Sequence, residues 1–374
     1  MAAPRKLRIP LVAPETSQAN VRGNPDVFYA AVEQAYAQAE ATAGRVTRDY
    51  VIAGRRVRLQ FAGEALVPRL TPALAHLAAA PEPAEPDLTI GLWELATTGS
   101  APPPPAWDYA DFQPNGLIDG FATDQLTVTF ELGSNALSVV QHSAGRAYYW
   151  VKQAEQVPYY DRGSPLRLIF HTWFSRHGVH LTHAGAVGRP AGGVLLAGRG
   201  GSGKSNTALT MLASGLHYAS DDYCLLASAP APYVHSLYSS GKTHAADLAR
   251  LPFLRPAVSN PDRLETEKAL YFLHAHFPDR LSGGFPVRGL VLPRVAAGQT
   301  ASTLRRISAA QGLAALAPST VSQLPGIQAD DFRTLVALAR QVPSYVLEVG
   351  CDQPQLIATV TDLVDALNAG QPPR

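Results

Sequence analysis

The first apolar pattern along the chain is helical. Between Pro25 and about Ala43, apolar residues recur at a spacing of three or four, which is typical of a helix with one buried face. Asn24 is suited to cap this helix, and Pro25 suits its first position because that position needs no N–H donor. The apolar stripe consists of Phe28, Ala31, Val32, Ala35 and Ala39.

Strand patterns follow this helix. Residues 50–52 and 57–61 are strand-like runs that flank Ala53 and Gly54, which predicts a β-hairpin. Thr71 and Pro72 repeat the pairing of a cap with a first-turn proline, so we expect a helix over residues 72–79. Further strands are predicted over residues 88–95, 126–132, 137–140 and 147–151, the last three as a β-meander.

The second half of the chain alternates between short apolar runs and helical patterns, which predicts an α/β fold. Gly215 is a candidate C-cap for a helix over residues 206–214. Strands are predicted over residues 194–197, 218–220, 223–226, 233–237, 289–292 and 345–349, and helices over residues 165–176, 206–214, 308–316, 330–340 and 354–367. We therefore expect two domains, an α+β domain over residues 1–164 and an α/β domain over residues 165–374.

A glycine-rich motif lies directly after the predicted strand at residues 194–197. It fits G-x-x-x-x-G-K-[ST] at every fixed position, and a helical pattern follows it. Glycines let backbone N–H groups surround a phosphate, Lys204 supplies a positive charge for the β- and γ-phosphates, and the Ser205 hydroxyl suits Mg²⁺. The predicted nucleotide-binding residues are Gly198, Arg199, Gly200, Gly201, Ser202, Gly203, Lys204, Ser205 and Asn206.

Two adjacent acids follow this motif. Asp221 and Asp222 come 17 and 18 residues after Lys204, between two predicted strands. A carboxylate beside bound phosphates can hold Mg²⁺ or accept the proton of an attacking hydroxyl. We expect the two acids to share these roles and assign Asp221 to the metal and Asp222 to the base.

Together, these motifs resemble the C-terminal catalytic domain of bacterial HPr kinase/phosphorylase. The resemblance is carried by His183, which is 21 residues before Lys204, by the glycine-rich motif and by the acid pair. It implies a P-loop fold of the type found in ATP-dependent phosphoenolpyruvate carboxykinase, with His183 near the transferred phosphate. The downstream glycine-rich signature with which HPr kinases engage their protein substrate is not found here, so the resemblance does not identify the acceptor.

Composition and charge narrow the possible partners. The chain has 374 residues, is 46% hydrophobic and carries a formal net charge of +1, so no overall charge favours nucleic acid or an anionic membrane. Neither a signal peptide nor a membrane-spanning run is recognised, and the two cysteines suit a reducing compartment, so we expect a cytoplasmic location. Four nearby histidines lack a coherent ligand set for zinc: His171, His177, His180 and His183.

We interpret the chain as an ATP- and Mg²⁺-dependent kinase with His183, Lys204, Asp221 and Asp222 as catalytic residues. Its acceptor is a Ser or Thr of a peptide or protein, or a small-molecule hydroxyl, and Lys242 is a candidate on the acceptor or phosphate side. The resemblance also makes a homo-oligomer possible. The alternatives are an NTP hydrolase, in which the acids activate water, and a nucleotide-gated regulatory or scaffold protein.

Overall fold

Two β-sheets with helices on their faces make up the fold of this computed structural model. It describes residues 24–113, 117–296, 298–321, 323–324, 326–327 and 329–371. The helices are α1 (Pro25–Ala43), α2 (Val67–Leu70), α3 (Leu95–Thr98), α4 (Tyr159–Gly163), α5 (Arg167–Ser175), α6 (Lys204–Thr210), α7 (Ala309–Val321), α8 (Ala329–Gln341) and α9 (Gln353–Asn368).

The first sheet has seven strands in the order β3-β1-β2-β4-β7-β6-β5. These are β1 (Arg45–Ile52), β2 (Arg55–Ala62), β3 (Ala78–Ala79), β4 (Leu88–Glu94), β5 (Leu126–Glu131), β6 (Ala136–Gln141) and β7 (Arg146–Val151). Strand β4 pairs in parallel with β2 and β7, and the other pairs are antiparallel. Successive side chains of a strand point to opposite faces, so Tyr148 packs with α1 while Tyr149 joins the core on the other side.

The second sheet holds the glycine-rich motif at the end of one of its central strands. Its main order is β11-β9-β10-β16-β13-β12-β8, and β18 joins β16 and carries β17. The strands are β8 (His180–His183), β9 (Gly185–Arg189), β10 (Gly192–Leu196), β11 (His217–Ser220), β12 (Tyr223–Ala227), β13 (Tyr233–Ser236), β16 (Gly284–Val295), β17 (Thr303–Ile307) and β18 (Ser344–Val349). A separate pair consists of β14 (Ser240–Thr243) and β15 (Ala269–Phe272).

Helices cover both faces of the second sheet. Val194 and Leu196 of β10 pack in one core with α6 and α9, while Leu195 between them packs in another core with α7 and α8. Strands β10, β16 and β18 are parallel to one another, so their carboxyl ends lie at the same edge. The loop that follows β10 therefore emerges at the edge where α/β proteins bind ligands.

The two halves of the chain share a hydrophobic core. Ile90 and Tyr149 of the first sheet, Phe170 and Trp173 of α5, and Leu225 of the second sheet belong to one cluster of buried side chains. The predicted boundary between residues 164 and 165 lies just before α5, between the two sheets. The division into two domains stays a prediction, because the shared core couples the two halves.

Most of the predicted elements are confirmed, and three details are wrong. Asn24 accepts hydrogen bonds from the N–H groups of Asp26 and Val27 and caps α1 as expected. Thr71 makes no such bond, and the expected helix after it is a 3₁₀ turn over Pro72–Leu77. Helix α6 ends at Thr210 in a 3₁₀ turn instead of continuing to a cap at Gly215, and the stretch 238–288, for which no element is predicted, contains β14 and β15.

Within the described part of the chain, no helix combines the length and apolar character that a membrane span requires.

Candidate functional site

The glycine-rich loop joins a strand to a helix, as the motif requires. Strand β10 ends at Leu196, and α6 begins at Lys204. Gly201 and Gly203 have φ angles of 78° and 100°, which residues with a Cβ rarely adopt. A side chain at Gly198 would also lie within 2.8 Å of the Ser202 Oγ. The loop backbone therefore requires glycine at these three positions.

Lys204 points back into this loop. Its Nζ donates to the carbonyl oxygens of Gly198, at 2.6 Å, and Arg199, at 3.3 Å, and the residue is only 6% exposed. Burial lowers the pKa of Lys204, and the negative charges of Asp222 and Asp221 partly offset this effect. The ammonium group is thus held at the loop, and no carboxylate of a described residue is bonded to it.

The acid pair forms the turn between β11 and β12, and its two side chains have different surroundings. Asp222 is 23% exposed and is bonded on both oxygens, to His183 Nε2 at 2.8 Å and to Lys242 Nζ at 2.6 Å. Burial alone would raise the pKa of Asp222, but the charge of Lys242 and the hydrogen bond from His183 hold it well below its usual range. Asp222 is therefore an ionised carboxylate clamped between two donors.

Asp221 points into the protein. It is 2% exposed, and its oxygens accept hydrogen bonds from the Tyr218 hydroxyl at 3.0 Å and from the backbone N–H of Lys242 at 3.1 Å. Burial and the neighbouring charge of Asp222 raise the pKa of Asp221. A direct bond from Asp221 to a metal in the cleft would require these contacts to break. Its assignment to the metal stays a prediction, and the geometry favours a positioning role.

His183 ends β8 and faces Tyr223 of β12 in the antiparallel register. The two rings lie 5.2 Å apart, and the backbone N–H of His183 donates to the Thr320 Oγ1 at 3.2 Å. These contacts orient the imidazole so that Nε2 meets Asp222. The guanidinium group of Arg167, on α5, lies over the Tyr223 ring, 5.4 Å from its centroid. Arg167 also forms an ion pair with Glu131 of the first sheet at 2.8 Å.

One cleft of about 480 Å³ connects these groups. Two of its cations are paired with acids, Lys242 with Asp222 and Arg167 with Glu131. The other four make no ion pair with a described acidic residue: Arg199, Lys204, Arg250 and Lys268. Asp247 also lines the cleft and makes no ion pair with a described residue, so these cations exceed the unpaired acid and the cleft favours an anion.

The structure thus brings most of the predicted site residues together. Residues 199–206, His183, Asp222 and Lys242 line the cleft, whereas Asp221 lies behind it. Sequence reasoning missed Arg167, which belongs to a helix predicted only as the entry to the second domain. It also missed Tyr159 and Tyr160 of α4, which line the cleft without any motif.

The other histidines do not join this site. His180 bonds to Asp331 at 2.7 Å on the far side of β8, and both side chains are buried. Among the described residues, no group of three or more His, Cys, Asp or Glu side chains is arranged to hold a metal ion by itself.

Comparison with known proteins adds little to this geometry. No protein-family model and no curated protein matches the sequence. Among solved structures, the chain is similar to the HPr(Ser) kinase/phosphatase from Coxiella burnetii, with 14% identity over 48% of this chain and 87% of that chain and a TM-score of 0.28. This similarity is too low to carry a functional conclusion. The family suggested by the motifs stays a prediction, and the structure itself shows a mixed α/β fold.

Proposed function

We propose that the chain is an ATP-dependent phosphotransferase that uses the cleft between the glycine-rich loop and Asp222. One observation carries the proposal: the same cleft is lined by residues 199–206, by Asp222 and by His183. Four cations that make no ion pair with a described acid also line it: Arg199, Lys204, Arg250 and Lys268. A phosphate-binding loop and a carboxylate facing the same space are the two parts that phosphoryl transfer to a hydroxyl requires.

The charge of the cleft suits a triphosphate. Arg199, Lys204, Arg250 and Lys268 supply four positive charges to the cleft against the one unpaired acid Asp247, and a nucleoside triphosphate carries about four negative charges at neutral pH. Lys204 now donates to two loop carbonyls, and phosphate oxygens are stronger, charged acceptors for the same ammonium. We therefore assign the β- and γ-phosphates to the space in front of Lys204.

The oxygen donors of the cleft fit Mg²⁺ held together with phosphates. The Ser205 hydroxyl lines the cleft at the start of α6, and two carboxylates line it among the described residues, Asp222 and Asp247. Magnesium is commonly bound by one or two protein oxygens, water and substrate phosphates, so a site without three acidic ligands suits this ion. When bound there, Mg²⁺ would neutralise charge on the transferred phosphate. We propose Ser205 as its protein ligand and assign Asp221 to positioning Lys242.

Asp222 is our proposed base. It is ionised and faces the cleft, and His183 fixes one of its oxygens while the lone pairs of the other can accept the proton of a hydroxyl acceptor. The acceptor oxygen then attacks the terminal phosphorus, and the bond to the bridging oxygen breaks, so that ADP leaves with that electron pair. The open end of the cleft beside Tyr159 and Tyr160 is the space that we assign to the acceptor, a Ser or Thr of a peptide or protein, or a small-molecule hydroxyl.

Mass spectrometry tests this proposal by following phosphate addition to serine- and threonine-containing peptides and to hydroxylated metabolites incubated with MgATP. We expect Asp222→Asn to slow single-turnover transfer by about 10²–10⁴-fold, because it removes the base, with nearly unchanged MgATP affinity. Asp279→Asn, an exposed carboxylate outside the cleft, is the matched control and is expected to leave the rate unchanged. ATP turnover without any phosphorylated product, at a rate that no compound changes, would contradict the proposal and favour a hydrolase.

A further inference from the structure

Lys242 is held in an unusual position for a lysine. It belongs to β14, its side chain is only 11% exposed, and its Nζ lies 2.6 Å from Asp222 Oδ2. Its other polar contact is a weaker one, to the Ser164 Oγ at 3.3 Å. The charges of Asp222 and Asp221 outweigh the effect of burial and raise the pKa of Lys242, so the ammonium form is kept. The proposed base is thus bonded to a permanent cation.

This bond conflicts with the role of Asp222. A carboxylate that is stabilised by a lysine and a histidine has low affinity for a proton, and a weak proton acceptor is a poor general base. Rotation of the His183 side chain away from Asp222 would break its ring contact with Tyr223. Lys242 can depart by rotation of its side chain alone. Of the two partners of Asp222, Lys242 is therefore the one that can move.

The same cleft offers Lys242 another partner. The Lys242 side chain lines the same cleft as the glycine-rich loop and Lys204, to which the terminal phosphate is assigned above. Its backbone is fixed, because its N–H donates to Asp221 and β14 pairs with β15. Its methylene chain lies beside Gly163, with Cδ and Cε at ordinary contact distance from the position of a Cβ on that residue. The fixed backbone and long side chain allow the ammonium group to move while its origin stays in place.

We propose that Lys242 moves its ammonium group from Asp222 to the terminal phosphate when a nucleoside triphosphate binds, which releases Asp222 to accept the proton of the acceptor hydroxyl. This inference rests on the proposed function and adds to it a way to distinguish a triphosphate from a diphosphate. The proton passes from the acceptor to Asp222, the phosphoryl group passes to the acceptor oxygen, and Lys242 remains protonated throughout. Without a terminal phosphate, Lys242 stays on Asp222 and the base stays blocked.

Nucleotide binding tests this without knowledge of the acceptor. In calorimetry with MgATP and MgADP, we expect Lys242→Met to weaken MgATP binding by roughly tenfold or more, because a charge-assisted hydrogen bond is lost. MgADP, which lacks the terminal phosphate, is expected to bind the variant as it binds the wild-type chain. Lys242→Arg keeps the charge and is expected to retain most of the preference for ATP. Lys152→Met is the matched control, since Lys152 is exposed and outside the cleft.

A merely structural role of Lys242 predicts a different result, namely equal changes for the two nucleotides or none, and either result would overturn the inference. If Lys242→Met does not fold because Asp222 is left unpaired, the double variant Asp222→Asn/Lys242→Met removes both charges and is expected to show the same loss of ATP preference. A wild-type chain that binds neither nucleotide would overturn the proposed function and this inference with it. Binding of both nucleotides with unselective losses overturns the inference alone.

Discussion

A buried carboxyl behind the cleft, Asp161 of α4, connects pH to stability. It is 6% exposed, and its Oδ2 makes no hydrogen bond to a described residue. Burial, with a smaller contribution from the charge of Glu131, raises the pKa of Asp161 to about 7, although Arg167 and Lys242 oppose the shift. The folded chain therefore keeps a proton on this carboxyl up to about neutral pH.

This carboxyl makes stability fall as pH rises. In the unfolded chain Asp161 ionises near its ordinary pKa of 3.8, whereas the folded chain keeps the proton to about pH 7, so the folded state binds more protons in between. The stabilisation that Asp161 contributes to the folded state is thus fully present below pH 3.8. It decreases between pH 3.8 and about pH 7, by at most about 1.4 kcal/mol per pH unit. We expect Asp161→Asn to remove this part of the pH dependence, so that the variant gains stability relative to wild type between about pH 5 and about pH 7. Urea unfolding at several pH values measures it, and parallel curves for the two chains would contradict the expectation.

The acid pair shows what adjacent residues can hide. Asp221 and Asp222 have the same chemistry and neighbouring positions, so the sequence supports either assignment of base and metal ligand. The structure separates them by burial, because the turn directs the buried Asp221 carboxylate inward to Tyr218 and the half-buried Asp222 carboxylate into the cleft. Only the partner strands decide which residue points which way, and the local sequence does not contain that information.

At the scale of the elements, the strand before the glycine-rich loop depends on a close approach of two glycines. Gly193 of β10 lies opposite Gly188 of β9, and a Cβ on Gly193 would lie 2.6 Å from Gly188 Cα and 2.5 Å from a ring carbon of Phe285. These contacts are too short for any side chain. The absence of side chains here holds β9 against β10 and so fixes the start of the loop.

A methyl group at this position is expected to destabilise the fold. We predict that Gly193→Ala lowers the free energy of unfolding by about 1–3 kcal/mol, since overpacking forces backbone shifts. Gly215→Ala is the matched control, because its nearest neighbour is the end of the Arg189 side chain at 3.8 Å and its φ is ordinary. Chemical unfolding compares them, and equal stability of both variants would show that β9 and β10 separate without cost.

The elements predicted from sequence are those with strong local signals. Helix α1 has a cap, a first-turn proline and a long apolar stripe, and the strand–loop–helix motif has fixed positions, so both are confirmed. Strands β14 and β15 have four residues each, are separated by 25 residues and pair with each other, with one further bridge between Val258 and Tyr271. Such a pairing leaves no periodic pattern, so the position of Lys242 beside Asp222 could not be derived from the sequence.

At the scale of the whole molecule, the first sheet contributes to the cleft indirectly. Glu131 at the end of β5 pairs with Arg167, which lies over Tyr223 and so supports the wall that carries His183. The shared core around α5 connects the same two parts of the chain. The sequence predicts both halves but not this contact, because it depends on how the two sheets pack.

The glycine-rich loop and Lys204 are proposed to bind the phosphates of a nucleotide, and calorimetry measures this binding as the affinity for MgATP. We expect the wild-type chain to bind MgATP and the Lys204→Ala variant to bind it roughly tenfold more weakly or worse. Among the described residues, Lys204 Nζ is hydrogen-bonded to two loop carbonyls, which the phosphates would replace. Lys152→Ala, with circular dichroism of all three proteins, controls for folding and for the loss of one positive charge. Equal MgATP affinity of the wild-type chain and a folded Lys204→Ala variant would show that Lys204 does not bind the phosphates.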